Sequence, residues 1–387
     1  MVRKRVGLDG RALSNISRQR GIGRYTSSLI PALIERGSDF DFVVFGYGKK
    51  ETSALPPEVM DETTWVSLPA PLPFSYPGLL ADHLLMARTV SRSGVDLFHA
   101  IDHNMTPFLK CPYIVTVHDL IPLVLRGPYL GPRSFLWLEF HKMAARRARA
   151  VVAVSRNSAS DVERLWRIEP ERIRVIPEGV SDIYHPVDDG AEIEKAMARF
   201  GIKRPYFLYL GGFDPRKNIG NMLLAFKRFL LNGSCDYSLA LCGDTAGFED
   251  HLRDGIQELG LEDKVVLTGF VEEEALPPLY SGSEAFLCVS LYEGFGLPLL
   301  EAMACAAPVI ASDTSSMPEV VGEAGVLVDP ADPDDILRGM EKVAESFELR
   351  EQLKEKGRAR AASFTWERSA ERFLWLYKEV LRGGGRG

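Results

Sequence analysis

Short apolar runs alternate with amphipathic helical patterns along almost the whole chain, and that alternation leaves few architectures open. Strands joined through helices must run parallel, because each crossover helix returns the chain to the same end of the sheet. Strands are expected at 5–8, 42–46, 97–100, 113–117 and 151–154, with a first helix over 25–36 and Ser155 placed to cap the helix after the fifth strand. Between the first strand and that helix lies a long, Arg-rich loop, expected to be mobile. The order of strand, Gly turn and helix starts afresh at Tyr206, with later strands at 237–242, 264–268, 285–291, 307–311 and 325–328. The pattern predicts an α/β protein of two Rossmann-like domains, residues 1–186 and 187–364, the polar stretch 187–194 opening the crossover.

A chain of 387 residues, 46% hydrophobic and 26% charged, has enough apolar side chains for two cores. No apolar run approaches the roughly 18 residues of a spanning helix, and Met1-Val2-Arg3-Lys4-Arg5 leads into a strand instead of a signal-peptide core, so a cytosolic protein is expected. Cysteines 111, 235, 242, 288 and 305 have no paired spacing and are expected as buried thiols. Charge is divided unevenly, with a net of +5 over residues 1–186 and −12 over the rest. Part of the basic excess sits in a helix expected over 133–149, where large apolar residues mix with Arg and Lys. Such a helix suits peripheral contact with an anionic membrane or a lipid diphosphate; a core-facing helix with a solvated basic side fits it too. Neither half is basic enough for nucleic-acid binding.

Chemistry concentrates in Tyr292-Glu293-Gly294-Phe295-Gly296-Leu297-Pro298-Leu299-Leu300-Glu301. Gly294 and Gly296 permit a tight turn after the strand, and Pro298 suits the start of a helix. The N–H groups of Phe295, Gly296 and Leu297 at such a helix start favour an anion, with Glu293 beside it on the loop and Glu301 one turn into the helix. On this stretch alone, a solvated loop acid and an acid that merely favours the helix dipole fit equally well. The segment Gly211-Gly212-Phe213-Asp214-Pro215-Arg216-Lys217 after strand 206–210 tips the balance. In doubly wound sheets ligands sit beyond the carboxyl ends of the strands, where Arg216 and Lys217 can reach a diphosphate. No Gly-x-Gly-x-x-Gly of the dehydrogenase kind follows a strand. Acid clusters at 39–41 and 329–335 are poor metal sites, the second reading as a turn and helix cap before Ile336, so neither a metal nor a cofactor is expected.

These residues resemble the large family of retaining glycosyltransferases with the two-domain B-type fold (GT-B), the group numbered four. The match rests on Glu293 and Glu301 with seven residues between them, Arg216-Lys217, Pro308-Val309-Ile310-Ala311-Ser312-Asp313, Pro318-Glu319-Val320-Val321-Gly322 and Phe364-Thr365-Trp366. The resemblance implies two domains facing across a cleft, a final helix (365–387) crossing back to complete the first domain, and a nucleotide-sugar donor on the second. It implies that Gly212, Arg216, Lys217 and the turn at Phe295 hold the diphosphate, Glu293 the sugar and Glu301 the ribose. Phe270 and Val271 then lie near the base. His118, at the end of strand 113–117, matches a histidine beside the transferred sugar, whereas His99 and His103 read as structural. Segments 9–11 and 21–25 wall the cleft, and Gly21-Ile22-Gly23-Arg24-Tyr25 is similar to a subset rich in bacterial mannosyltransferases of surface polysaccharide assembly. That favours GDP-mannose with a glycan or lipid-linked acceptor, with UDP-glucose or UDP-N-acetylglucosamine behind it. A sugar-nucleotide epimerase and a non-catalytic nucleotide-sugar binder also share the fold. Two positions depart from the family pattern: Ala306 stands where glycine is usual, and Glu178-Gly179 where Asn-Gly is commoner.

Overall fold

The structure is a computed structural model that describes residues 3–14, 21–49, 55–69, 76–126, 129, 131–233 and 236–383. It comprises two compact units, Met1–Gly179 with Trp366–Gly387, and Val180–Thr365.

The first unit contains β1 (Lys4–Asp9), α1 (Gly21–Arg36), β2 (Phe40–Tyr47), α2 (Pro57–Asp61), β3 (Thr64–Leu68), α3 (Tyr76–Arg92), β4 (Leu97–Ala100) and β5 (Tyr113–Val117). It continues through α4 (Ile121–Leu125), α5 (Pro132–Arg147), β6 (Ala150–Ala153), α6 (Arg156–Trp166) and β7 (Ile173–Val175). Its seven strands pair in parallel in the order β3-β2-β1-β4-β5-β6-β7. The order reverses between β1 and β4, which opens a crevice at their carboxyl ends. Strands β4, β5 and β6 are buried along their whole length, as central strands covered by helices on both faces must be.

The second unit contains α7 (Gly190–Phe200), β8 (Tyr206–Leu210), α8 (Ile219–Leu231), β9 (Ser238–Cys242), α9 (Glu249–Glu258), β10 (Val265–Gly269), α10 (Leu276–Ser281) and β11 (Ala285–Cys288). Then come α11 (Leu297–Ala304), β12 (Val309–Ser312), α12 (Met317–Val321), β13 (Gly325–Val328), α13 (Pro333–Glu345) and α14 (Phe347–Ala361). Six parallel strands take the order β10-β9-β8-β11-β12-β13, with the reversal between β8 and β11. Aromatic side chains fill the space under α8, where Phe207, Phe226 and Phe229 are all fully buried and meet edge to face or stacked.

A final helix, α15 (Trp366–Gly383), belongs to the first unit and packs on α1. Trp366 meets Tyr25 edge-on at 5.2 Å, and the Tyr377 hydroxyl hydrogen-bonds His99 Nδ1 at 2.7 Å.

The division falls at Gly179/Val180 instead of 186/187 because residues just past it are tied into the second unit. The Val180 N–H donates to the Phe364 carbonyl, Tyr184 to Glu273 and the Val187 N–H to Ser281. Helix α1 starts at Gly21, four residues before the expected Tyr25, and β11 stops at Cys288 because the chain then turns toward β8, Leu291 donating to the Arg216 carbonyl at 2.7 Å. Two expected caps are present. Ser155 accepts from Ser158 N–H, and Asp332 from Asp334 N–H. Cysteines 111, 242, 288 and 305 are free thiols; Cys235, residues 15–20 of the polar loop and the tail 384–387 lie outside the described residues. Among the described residues no helix is long and apolar enough to cross a membrane.

Candidate functional site

Parallel strands put every following loop at one edge of the sheet, so the turns after β8 and β11 meet at the reversal point of the second unit. After β8, Gly211 and Gly212 lead into a single 3-10 turn, Pro215–Lys217, which Asn218 ends in the left-handed region at φ 61°. The side chain of Asn218 donates to the carbonyls of Val289 (3.0 Å) and Pro330 (2.7 Å), fastening this turn to the loop after β11. Close approach of backbone is required here. Gly211 N–H donates to the Cys242 carbonyl at 3.0 Å, and a Cβ on Gly243 (φ 149°) would lie 1.9 Å from the Gly211 carbonyl oxygen.

Glu293 is the centre of the site. Its Oε2 accepts from Arg216 Nη1 and its Oε1 from Lys217 Nζ, each at 2.7 Å, and Oε1 also accepts from the Ser290 hydroxyl at 2.7 Å. Arg216 further bonds the Tyr292 carbonyl at 3.1 Å and pairs with Asp214 at 3.2 Å. All three side chains of the Glu293, Arg216 and Lys217 cluster are mostly buried. Burial alone would raise the Glu293 pKa, but Lys217 and Arg216 outweigh it and bring it down to about 2. The carboxylate therefore stays ionised at any physiological pH.

The loop itself is held from below. Ser316, fully buried, donates to the carbonyls of Glu293 (3.0 Å) and Phe295 (2.8 Å), while Ser315 accepts from the Glu293 N–H and Ser312 donates to the Ser290 carbonyl. Sequence reasoning missed Ser315 and Ser316, whose place just before Met317-Pro318, where α12 starts, is the one local sign of them, and it gave Ser312 no role. Gly296 sits at φ 104° and α11 starts at Leu297 without a side-chain cap; Pro298 has no N–H and the Leu299 N–H donates to the Gly296 carbonyl at 2.9 Å, so Leu297 carries the backbone donor that the helix start offers. Pro298 occupies the second helical position, not the first. Phe295 is buried edge-on to Phe364 at 6.0 Å, and Leu297 is buried as well.

Glu301 differs from its expected setting. Its side chain is wholly inaccessible, and Oε2 accepts from the Tyr280 hydroxyl at 3.2 Å. A ribose could reach it only after the covering groups move. Gly212 is exposed, its carbonyl bonded by the Tyr209 hydroxyl. Beyond β10, Phe270 is 52% exposed whereas Val271 is buried.

In the first unit, His118 follows β5 and is almost enclosed. Its Nε2 bonds the Ile101 carbonyl at 3.0 Å, its Nδ1 faces Glu178 Oε1 at 3.5 Å, and Tyr25 meets the ring edge-on at 4.6 Å. Burial opposes a charged ring, but Glu178, helped by Asp102 and the Ile101 carbonyl, raises the pKa above the usual histidine value. Glu178, one of the two departures from the family pattern, is thus the ion partner of His118. Arg11 grips Asp9 through Nε (2.9 Å) and Nη2 (2.7 Å), at the carboxyl end of β1. Nearby, Asp102 pairs with His103 at 3.0 Å, and His141 of α5 is buried against His103 and Trp137. His99 lies deeper, between Tyr377 and Thr116, where burial takes its pKa down to about 3. Among the described residues no group of three His, Cys, Asp or Glu is placed to hold a metal ion.

Two family models match the chain, Glycosyltransferase Family 4 over residues 19–182 and Glycosyl transferases group 1 over residues 192–360. The chain belongs to the family 4 glycosyltransferases. It is 35% identical to the O-antigen chain mannosyltransferase B of Escherichia coli over 270 residues, 68% of this chain and 70% of that one. It is 30% identical to the MMP alpha-(1->4)-mannosyltransferase of Mycolicibacterium hassiacum, over 82% of this chain and 78% of that one. Against the serotype-specific mannosyltransferase WbdA of E. coli it is 31% identical over 70% of its length but spans only 34% of that protein. Among solved structures, sucrose-phosphate synthase from Thermosynechococcus elongatus superposes with a TM-score of 0.78 at 22% identity, covering 98% of this chain and 100% of that one. These glycosyltransferase neighbours share the GT-B fold, with two parallel-sheet Rossmann-like domains.

Proposed function

We propose that this glycosyltransferase moves mannose from GDP-mannose to a hydroxyl of a glycan or lipid-linked acceptor in surface polysaccharide synthesis, with retention of anomeric configuration. The observation that carries a diphosphate-sugar donor is the cation pair Arg216 and Lys217, held by one carboxylate at the reversal point of the second sheet beside the uncapped start of α11. The mannosyltransferase relatives favour the sugar. During transfer the bond between the anomeric carbon and the donor phosphate breaks and a bond from that carbon to the acceptor oxygen forms. The acceptor proton passes to the departing diphosphate oxygen. Charge grows on that oxygen, so Arg216, Lys217 and the N–H groups at Phe295 to Leu297 bind the transition state more tightly than the ground state. Glu293 holds the sugar hydroxyls and faces the positive charge at the anomeric carbon. Glu301 takes the ribose once Tyr280 yields, Phe270 and Val271 border the base, and His118 borders the transferred sugar. No metal or cofactor enters this scheme.

Thermal shift against GDP-, UDP- and ADP-sugars, with and without EDTA, tests the donor. A ligand at about 100 times its dissociation constant stabilises by about 2.7 kcal/mol. A GDP-mannose shift insensitive to EDTA is expected, followed by NMR of the product anomer. A shift confined to UDP- or ADP-glucose would install the second reading, a glucosyltransferase, which the relatives named alpha-maltose-1-phosphate synthase favour. Donor interconversion without acceptor would mark an epimerase. We also propose peripheral membrane contact through α5, whose Phe135, Leu136 and Met143 are exposed.

A further inference from the structure

At the amino ends of β5 and β6, the sheet edge opposite the one that carries His118, the first unit has an open hollow of about 520 Å³. Five of its ten lining residues are cations, Lys110, Arg146, Arg147, Arg149 and Arg172, and none is an acid. Two of the five have structural work. Arg172 bonds the carbonyls of Arg146 (2.8 Å) and Ala148 at the end of α5 and pairs with Glu169 (2.9 Å), and Arg146 bonds the Trp166 carbonyl (3.0 Å). The other three, Lys110, Arg147 and Arg149, are exposed and make no side-chain hydrogen bond or ion pair among the described residues.

Structural need accounts for Arg172, since cations cap the carbonyls of a helix end, but not for three more cations turned into one concavity. Like charges brought together repel, Glu169 at Arg172 offsets one of the five, and a concave wall focuses the remaining field on whatever anion enters. Flat, solvated lysines on a convex surface would do neither. The volume exceeds what one small anion fills, and forked guanidinium donors match phosphate oxygens. We propose that this hollow is an anion site, separate from the donor and acceptor crevices, that binds a phosphate-bearing group. The exposed side of α5 that carries Phe135, Leu136 and Met143 ends in Arg146 and Arg147 at its rim, so one source of that group is a lipid headgroup; the other is a free phosphate or diphosphate.

The test compares the wild type with the triple variant Lys110→Gln, Arg147→Gln, Arg149→Gln, which spares the backbone contacts of Arg146 and Arg172. Circular dichroism and melting establish that each protein is folded, and Arg147→Gln alone serves if the triple variant is not. One arm measures sedimentation with vesicles of phosphatidylglycerol and phosphatidylcholine. The other titrates inorganic pyrophosphate by calorimetry in an Arg216→Ala, Lys217→Ala background, which removes the second cation pair. Losing a charge near an anionic surface costs about five-fold in affinity, so the triple variant should bind vesicles on the order of 100-fold more weakly. A loss in the vesicle arm alone assigns the site to a headgroup, a loss in the pyrophosphate arm alone assigns it to a soluble anion, and a loss in both assigns it to the shared phosphate chemistry. Equal binding by wild type and folded variant in both arms overturns the proposal.

Discussion

Glu293 shares its two carboxylate oxygens between Lys217 and Arg216, one to each at 2.7 Å. The pair of cations is therefore pre-placed with one of its two charges balanced by this acid, and in the proposed reaction a donor diphosphate would compete with it for the same donors.

This arrangement separates binding from turnover. Lys217→Ala should lower kcat by roughly 10² to 10³, the loss seen when one charge-stabilising donor is removed. Glu293→Gln frees the cations, so its affinity for the nucleoside diphosphate should hold or rise while kcat falls. Calorimetry with the diphosphate beside steady-state kinetics checks both. A variant at Glu293 that binds more weakly yet turns over normally would contradict the assignment.

Helix α11 ends in a Schellman motif. Ala306 N–H bonds the Met303 carbonyl at 3.1 Å and Ala307 N–H the Ala302 carbonyl at 2.9 Å, with Ala306 at φ 57°. A Cβ in the left-handed region costs about 1 kcal/mol, only partly offset by the greater freedom of glycine when unfolded. Ala306→Gly should stabilise the protein by a few tenths to about 1 kcal/mol in urea unfolding of the full chain; a lower midpoint would show that the strain is absorbed elsewhere.

Gly243→Ala should act in the opposite sense. Its Cβ would fall on the Gly211 carbonyl, backbone that cannot swing aside, so the expected cost is more than about 2 kcal/mol together with loss of donor-induced stabilisation. An unchanged melting temperature would show that the β8 turn can relax.

Acid should weaken the first unit through His99. Its folded pKa of about 3 lies below the unfolded value near 6.5, so the unfolded chain takes up the proton first. The stability this buried neutral ring contributes is complete above pH 6.5 and declines as pH falls toward 3. His83, lowered to about 4 by burial with help from Arg11, acts in the same direction; His118 and His103, both raised, act against it. Comparing wild type with His99→Gln cancels the other groups: between pH 7 and pH 5 the wild type should lose about 2 kcal/mol more than the variant. Parallel pH profiles would remove His99 from the account.

Much of this was legible in the sequence, and for identifiable reasons. Strands such as Leu97–Ala100, Tyr113–Val117 and Tyr206–Leu210 are mainly apolar runs, with His99 and Thr116 as buried polar exceptions, because helices cover both faces, and Gly211-Gly212 and Gly294 to Gly296 mark turns whose backbone must bend tightly. Strands β3 and β7 escaped notice because they are short, half-exposed edges of the sheet with no apolar run to mark them. The hydroxyl that bonds the buried Glu301 comes from Tyr280, 21 residues away, and the pairing of Glu178 with His118 spans 60 positions. Local pattern carries no information about such contacts. Ser316 reads locally as an ordinary residue before a helix, and only the fold turns its hydroxyl onto two carbonyls of the Glu293 loop.

The second unit enters at Val180 and leaves at Thr365, and these two positions form a parallel bridge with each other. In chain terms the second unit is an insertion with its start and finish side by side. A replacement unit with the same two adjoining ends could be spliced in without lengthening either connection; under the donor role proposed for the second unit, donor preference would then travel with the inserted cassette while the first unit keeps its own sequence.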